Sequence, residues 1–270
     1  MYVEIARGTP ANRGMLIPHE NIVKYIGPDE PIYRSVYLYE ELAKEYVDKT
    51  GSLKNYFGVR SIDKIPIDID KKDNSDEKTL DILRSIIMEL EEGDIGCGSF
   101  QPFFSGSGYH LMLSGNLFNF KESPDLPYIV KQTMRSLFPE VDLSIYMRTG
   151  IYRIQHTPNQ KTGLYKIPLT KDEVMNLNPK EIFELSAMKT STGAGQTKYL
   201  GERRNKDWTA AFIKKLEGNN EKVPEWIKEF RIINNGTFKK NVDTAKNREE
   251  FNDLSNPKVV KKFADYIKEK

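Results

Sequence analysis

The segment Ile65-Pro66-Ile67-Asp68-Ile69-Asp70 constrains the fold more than any other part of the chain. Side chains of a strand alternate between faces, so the three isoleucines share one face. Asp68 and Asp70 then share the other, about 6.6 Å apart along the strand. The isoleucine face requires a covering layer, and two neighbouring carboxylates repel unless a cation lies between them. Hard divalent cations take oxygen ligands, and two-metal phosphoryl-transfer sites use such acids to hold their ions. Read alone, Asp-x-Asp also fits a solvated strand edge leading into the acidic turn Lys71 to Asp76. It fits the metal-bound sugar nucleotide of a glycosyltransferase as well.

The pattern around this segment predicts a layered α+β fold. Strands are expected over Ile32 to Tyr39, Lys64 to Asp70 (read as the central strand), Phe100 to Phe104 and Tyr109 to Leu113. Leu143 to Tyr146, Ile151 to Gln155 and Leu164 to Leu169 read as further short strands. Helices are expected over Glu40 to Lys49, over Glu77 to Glu92 after the capping signal Asp73-Asn74-Ser75-Asp76, and from Ser123-Pro124 through Leu137. Strands and helices in this order predict a largely antiparallel sheet. After Leu169 the pattern turns helical, over Lys171 to Leu177, Pro179 to Met188, Asp207 to Leu216, Pro224 to Phe230 and Pro257 to Lys270. The polar stretch Thr190 to Thr197 reads as a linker. We therefore expect a catalytic domain over residues 1–190 and a helical accessory region over 191–270.

Composition narrows the class. Apolar residues at 38% allow a core under a surface rich in charge, and a net charge of +2 argues against binding nucleic acid by bulk charge alone. Residues 171–270 hold 21 Lys+Arg against 16 Asp+Glu, leaving 20 against 23 in the first 170, so the helical part is the more basic. The single cysteine, Cys97, excludes an internal disulfide and a multi-cysteine zinc knuckle. No apolar run reaches the ~20 residues of a membrane span, and the first residues lack a signal-peptide layout. A cytoplasmic protein without membrane contact is expected. The chain ends on Ile267-Lys268-Glu269-Lys270 in mid-helical pattern, as a piece of a longer protein would.

Four further features carry chemistry. Ser105-Gly106-Ser107-Gly108 supplies hydroxyls and flexible N–H groups, the parts of an anion-binding nest as well as of a plain hairpin turn. His110 opens the apolar run that follows, where a histidine can donate to a phosphate. Asp142 is a lone acid before an apolar segment. Arg153 and Lys161, the latter in Lys161-Thr162-Gly163, are cations able to neutralise a triphosphate.

Taken in order, Asp68-x-Asp70, Ser105-Gly-x-Gly-x-His110, Asp142, and Arg153 with Lys161-Thr162-Gly163 resemble the motif series of the archaeo-eukaryotic primase superfamily. More narrowly, they resemble its stand-alone primase-polymerases of plasmids, phages and CRISPR loci. The resemblance runs from about Ile65 to Leu169. It implies an RRM-like catalytic core and template-directed nucleotidyl transfer that makes and extends primers on single-stranded DNA. Asp68, Asp70 and Asp142 would bind two Mg²⁺ or Mn²⁺ ions, with no zinc. Ser105, Ser107, His110, Arg153 and Lys161 would contact the triphosphate of an incoming NTP or dNTP, and Arg34 is an upstream phosphate-binding candidate. A helicase or nuclease, on this chain or a neighbouring one, is an implied partner. Trp208, Trp226 and Phe230 are candidates for gripping template or initiating nucleotide. The chain departs from the family where Thr157 and Asn159 stand in place of a frequent Ser and His, with His156 adjacent. A primer-dependent gap-filling polymerase and a non-catalytic single-strand-binding module remain alternatives.

Overall fold

The computed structural model describes residues 1–26, 29–93, 95, 98–118 and 120–188. The helices expected at Asp207–Leu216, Pro224–Phe230 and Pro257–Lys270, the 191–270 region, Cys97, Trp208, Trp226 and Phe230 lie outside the described residues. The chain is α+β. It runs β1 (Tyr2–Arg7), β2 (Met15–Pro18), a 3-10 helix (His19–Tyr25), β3 (Ile32–Ser35), β4 (Leu38–Tyr39), α1 (Glu41–Thr50), β5 (Arg60–Ser61) and β6 (Lys64–Ile69). Then follow α2 (Asp76–Glu92), β7 (Phe100–Phe104), β8 (Tyr109–Ser114), a 3-10 turn (Gly115–Leu117) and α3 (Leu126–Leu137). A second 3-10 helix (Leu143–Tyr146), β9 (Ile151–Arg153), β10 (Ile167–Pro168), α4 (Lys171–Asn176) and α5 (Pro179–Ala187) complete it.

Two antiparallel sheets result. One has the order β5-β4-β1-β3-β9 with β2 also paired to β1, and the other the order β10-β7-β8-β6. The second sheet carries the site. Its core is a split β-α-β unit: β8 inserts between β6 and β7, the two strands that α2 connects, and β10 adds beside β7. Ile65, Ile67 and Ile69 are 0 to 2% exposed, and α2 packs against β6 and β8 with Leu80, Leu83, Ile86, Ile87 and Leu90 buried. The alternation along β6 thus sorts as expected, isoleucines inward and carboxylates away. Helix α2 begins where its capping signal lies, with Ser75 Oγ accepting from Lys78 N at 3.1 Å. Helices α4 and α5 each open on a capping box, at Thr170 and Asn178.

Four expectations need correction. The strand read as central, β6, lies at the edge of its sheet. Pro66 has no N–H to give a second neighbour, which confines such a strand to an edge. The free edge is covered by the segment after α3: Asp142 N donates to Asp68 O at 2.8 Å and the Tyr146 hydroxyl donates to Pro66 O. Leu143–Tyr146 is a 3-10 helix rather than a strand. The Asp142 carboxylate accepts from Ser144 N at 2.9 Å and Oγ at 2.8 Å, which bends the chain into the 3-10 turn. Of Leu164–Leu169 only Ile167–Pro168 joins the sheet, against Phe103 and Phe104, because Tyr165 and Lys166 turn back toward Pro158 and Thr157. The predicted strand Ile32–Tyr39 also divides in two, with Ser35 Oγ donating to Tyr37 O at the break. Among the described residues no helix is long and apolar enough to cross a membrane.

Arg34, on β3, ties the first sheet to the start of β6. Its guanidinium meets both carboxylate oxygens of Asp63 at 2.8 and 3.0 Å, and His19 Nε2 lies 3.2 Å from the same group. Burial pushes the Asp63 carboxyl up, but Arg34 and His19 outweigh it and hold the group well below the carboxylate range. An acid depressed in the folded state stabilises above its unfolded pKa and loses that contribution as pH falls. Arg34→Met, which leaves the buried Asp63 carboxylate with His19 alone, is therefore expected to cost roughly 3 kcal/mol at pH 7. The deficit should shrink below about pH 4, as urea melts across pH would read.

Candidate metal centre

Asp68, Asp70 and Asp142 each offer one oxygen, and these oxygens lie within 4.8 Å of one another. Backbone geometry does the gathering. Asp68 and Asp70 come from the end of β6 by alternation, and Asp142 is delivered by its own N–H on Asp68 O. Burial and the like charges of Asp68 and Asp142 push the Asp70 carboxyl up, while Lys72 and Lys161 oppose the rise. Burial, then the charges of Asp68 and Asp142, hold the Tyr146 hydroxyl in its protonated, donating form. Three hard oxygen donors of like charge gathered this closely are the donor set a divalent cation relieves, so this triad can hold a metal ion.

The Ser/Gly loop abuts these carboxylates. A Cβ on Gly108 would lie 2.5 Å from Ile69 O and 3.5 Å from Asp70 Cα, so only glycine lets β8 start this close to the end of β6. Gly106, at φ +91°, makes the turn, and a Cβ there would meet Asn159 Cβ at 2.9 Å. Ser105 closes the turn on itself: its N–H donates to Gly108 O and its Oγ accepts from Gly108 N. Ser107 is exposed at the tip, 3.4 Å from Asn159 Nδ2.

The loop at 157–164 is stitched to this one. Thr162 Oγ1 donates to Gly106 O at 2.9 Å, and the Arg153 guanidinium donates to Thr157 O and Ser105 O. Arg153 is 6% exposed, and burial pushes its guanidinium down to about 10. Its hydrogen bonds thus go to backbone that shapes both loops. Lys161, by contrast, is exposed at the tip of its loop, and its charge reaches Asp70. Thr157 is fully buried with its hydroxyl on Ile154 O, and His156 holds a positive φ of 59° at the start of the loop.

His110 pairs with Asp68 across the β6–β8 ladder, and its Nε2 lies 3.3 Å from Asp68 Oδ1. Burial pushes its imidazole below the ordinary histidine range, and Lys166 adds to this against Asp68. Burial raises Asp68 in turn, but the hydrogen bond from His110 and the charges of Lys166 and Lys72 leave it lowered. Lys166 falls in the predicted short strand Leu164–Leu169, yet it is 1% exposed with Nζ 2.8 Å from His110 Nδ1 and from Arg153 O. Its signal was present: a lysine between apolar neighbours in a strand pattern is buried only when paired. Lys72, two residues past Asp70 at φ 44°, was missed too, since no propensity places a lysine there. Arg34 is not brought to the triad. It is engaged with Asp63, roughly 16 Å along β6 from Asp68.

No family model matches the chain, and no curated protein matches it. The site therefore stands on its geometry. Mn²⁺ is expected to raise the melting temperature of the protein, by an amount equivalent to about 2.7 kcal/mol at a hundredfold excess over Kd. Asp70→Asn should melt at or above the native temperature in chelator, because a repulsive charge is gone. It should lose most of the Mn²⁺-induced rise in a fluorescence melt.

Proposed function

We propose that the chain is a template-directed nucleotidyltransferase, a primase-polymerase that makes and extends primers on single-stranded DNA from NTPs or dNTPs. The observation that carries this reading is one convergence. Three carboxylates lie within 4.8 Å of one another at the end of β6, against a Gly/Ser turn that runs into a buried histidine. The order of those residues along the chain is what resembles the archaeo-eukaryotic primase superfamily.

Mg²⁺ or Mn²⁺ held by Asp68, Asp70 and Asp142 would supply a more acidic 3′-hydroxyl and neutralise charge on the triphosphate. The 3′-oxygen forms a bond to the α-phosphorus as the bond to pyrophosphate breaks. Around that reaction the chain's own groups position phosphates. His110 donates from Nε2, the nitrogen that faces Asp68. The exposed Ser107 hydroxyl and the Lys161 ammonium sit at the tips of two stitched loops and offer a donor and a charge. Lys72 adds a second cation beside Asp70. Arg153 and Ser105 act by holding the loops in shape. A single-stranded template and a helicase or nuclease partner belong to the same reading.

An unprimed single-stranded DNA template with labelled nucleotides and Mn²⁺ tests it. Short template-dependent products, lost in Asp68→Ala/Asp70→Ala, are expected. Extension only of a supplied primer would make the protein a gap-filling polymerase. Template binding with no incorporation in either format would leave a single-strand-binding module. In the active case His110→Ala should raise the nucleotide KM about tenfold, the worth of one phosphate hydrogen bond.

A further inference from the structure

Lys166 has no place in the reading above, yet it is the most thoroughly enclosed cation near the site. Its Nζ donates to Arg153 O at 2.8 Å and lies 2.8 Å from His110 Nδ1. Two aromatic faces close around it, with the Phe103 ring centroid at 5.0 Å and that of Tyr152 at 5.1 Å. Ring faces attract N–H donors and cations, so both rings and the Arg153 carbonyl favour hydrogens pointing outward from Nζ. Whether the nitrogen carries two hydrogens or three, it can donate to both polar neighbours.

A neutral imidazole has one N–H and one acceptor nitrogen, and the partner of one nitrogen decides the role of the other. A donor at Nδ1 makes that nitrogen the acceptor and leaves the proton on Nε2. The β6–β8 register then points the Nε2–H at Asp68 Oδ1, 3.3 Å away, beside the three carboxylates. With the opposite tautomer, Nδ1–H would face the Lys166 donor and a bare Nε2 would face a carboxylate. The second contact is repulsive in any case, and the first is favourable only to a neutral amine with a free lone pair.

We propose that Lys166 is a positioning residue: by donating to His110 Nδ1 it fixes the imidazole as the Nε2–H tautomer, aimed at Asp68 and the nucleotide phosphates. The phosphate half of this statement rests on the nucleotide-binding reading, and the tautomer half does not. The arrangement explains why a lysine stands in an otherwise apolar segment next to β10. It also explains why Arg153 turns its carbonyl inward while its guanidinium holds the loops.

The test is a two-bond ¹H–¹⁵N correlation spectrum of the uniformly labelled protein, which separates the two neutral tautomers and has only three histidines to assign. His110 is expected in the Nε2–H form, and an Nδ1–H pattern in the unmodified protein would overturn the proposal without any variant. In Lys166→Met, which keeps the stem but removes the donor, Asp68 alone holds the proton on Nε2, and the His110 signals should shift part of the way toward the Nδ1–H form. His19 and His156 should stay in place and report an intact fold. Unchanged His110 signals in that variant would also overturn it. In the incorporation assay Lys166→Met should raise the nucleotide KM about tenfold with kcat changed far less. A lost tautomer with an unchanged KM would overturn the phosphate half alone. A confirmed tautomer in a protein that incorporates no nucleotide would refute the enzymatic reading and leave the lysine's role standing.

Discussion

Mutual repulsion among Asp68, Asp70 and Asp142 is the constraint around which the second sheet is organised. Carboxylates do not gather unaided, so the backbone must hold them. Alternation along β6 commits two of them to one face once the isoleucines are buried under α2. The third arrives because Pro66 leaves β6 an edge strand whose carbonyls need donors, and the Asp142 N–H and Tyr146 hydroxyl supply them. The same hydrogen bonds that finish a sheet edge therefore assemble the site. Asp142 has two duties, since its carboxylate also caps the 3-10 helix that carries Tyr146.

Cations around the triad fall into two groups by burial. Arg153 and Lys166 are enclosed, with their donors on backbone oxygens and on His110. Lys72 and Lys161 stand in solvent with their charges reaching Asp70. The first group fixes shape and the second is available to a ligand. A loop that must approach phosphates needs both: free charge at its tip and a frame that keeps the tip still. Gly106 and Gly108 permit the close approach that the frame requires.

How much of this could be read from the chain depends on the range of the interaction involved. The isoleucine/aspartate alternation, the Ser75 cap and the Ser/Gly turn are local, and each lies where the sequence places it. The pairing of Tyr2–Arg7 with Met15–Pro18 and Ile32–Ser35 is non-local, and it buries even Glu4 between Val3 and Ile5, which a short polar-interrupted segment does not announce. Leu143–Tyr146 has strand-like residues, but the carboxylate of Asp142 decides its conformation. Arg34 and Arg153 show why a cation in a motif position need not face a ligand: their partners, Asp63 and the Ser105 carbonyl, are 29 and 48 residues away in the chain. Lys166 is the same lesson reversed, a residue hidden in an apolar run whose neighbours come from three other strands.

The central claim is that one site holds both metal and nucleotide. The most direct measurement is an anomalous difference map from crystals of the protein with Mn²⁺ and a non-hydrolysable nucleoside triphosphate. The account predicts Mn²⁺ peaks between Asp68, Asp70 and Asp142, with the triphosphate against Ser107, His110 and Lys161. Mn²⁺ absent from the triad, or a triphosphate bound away from the 105–110 loop, would contradict it.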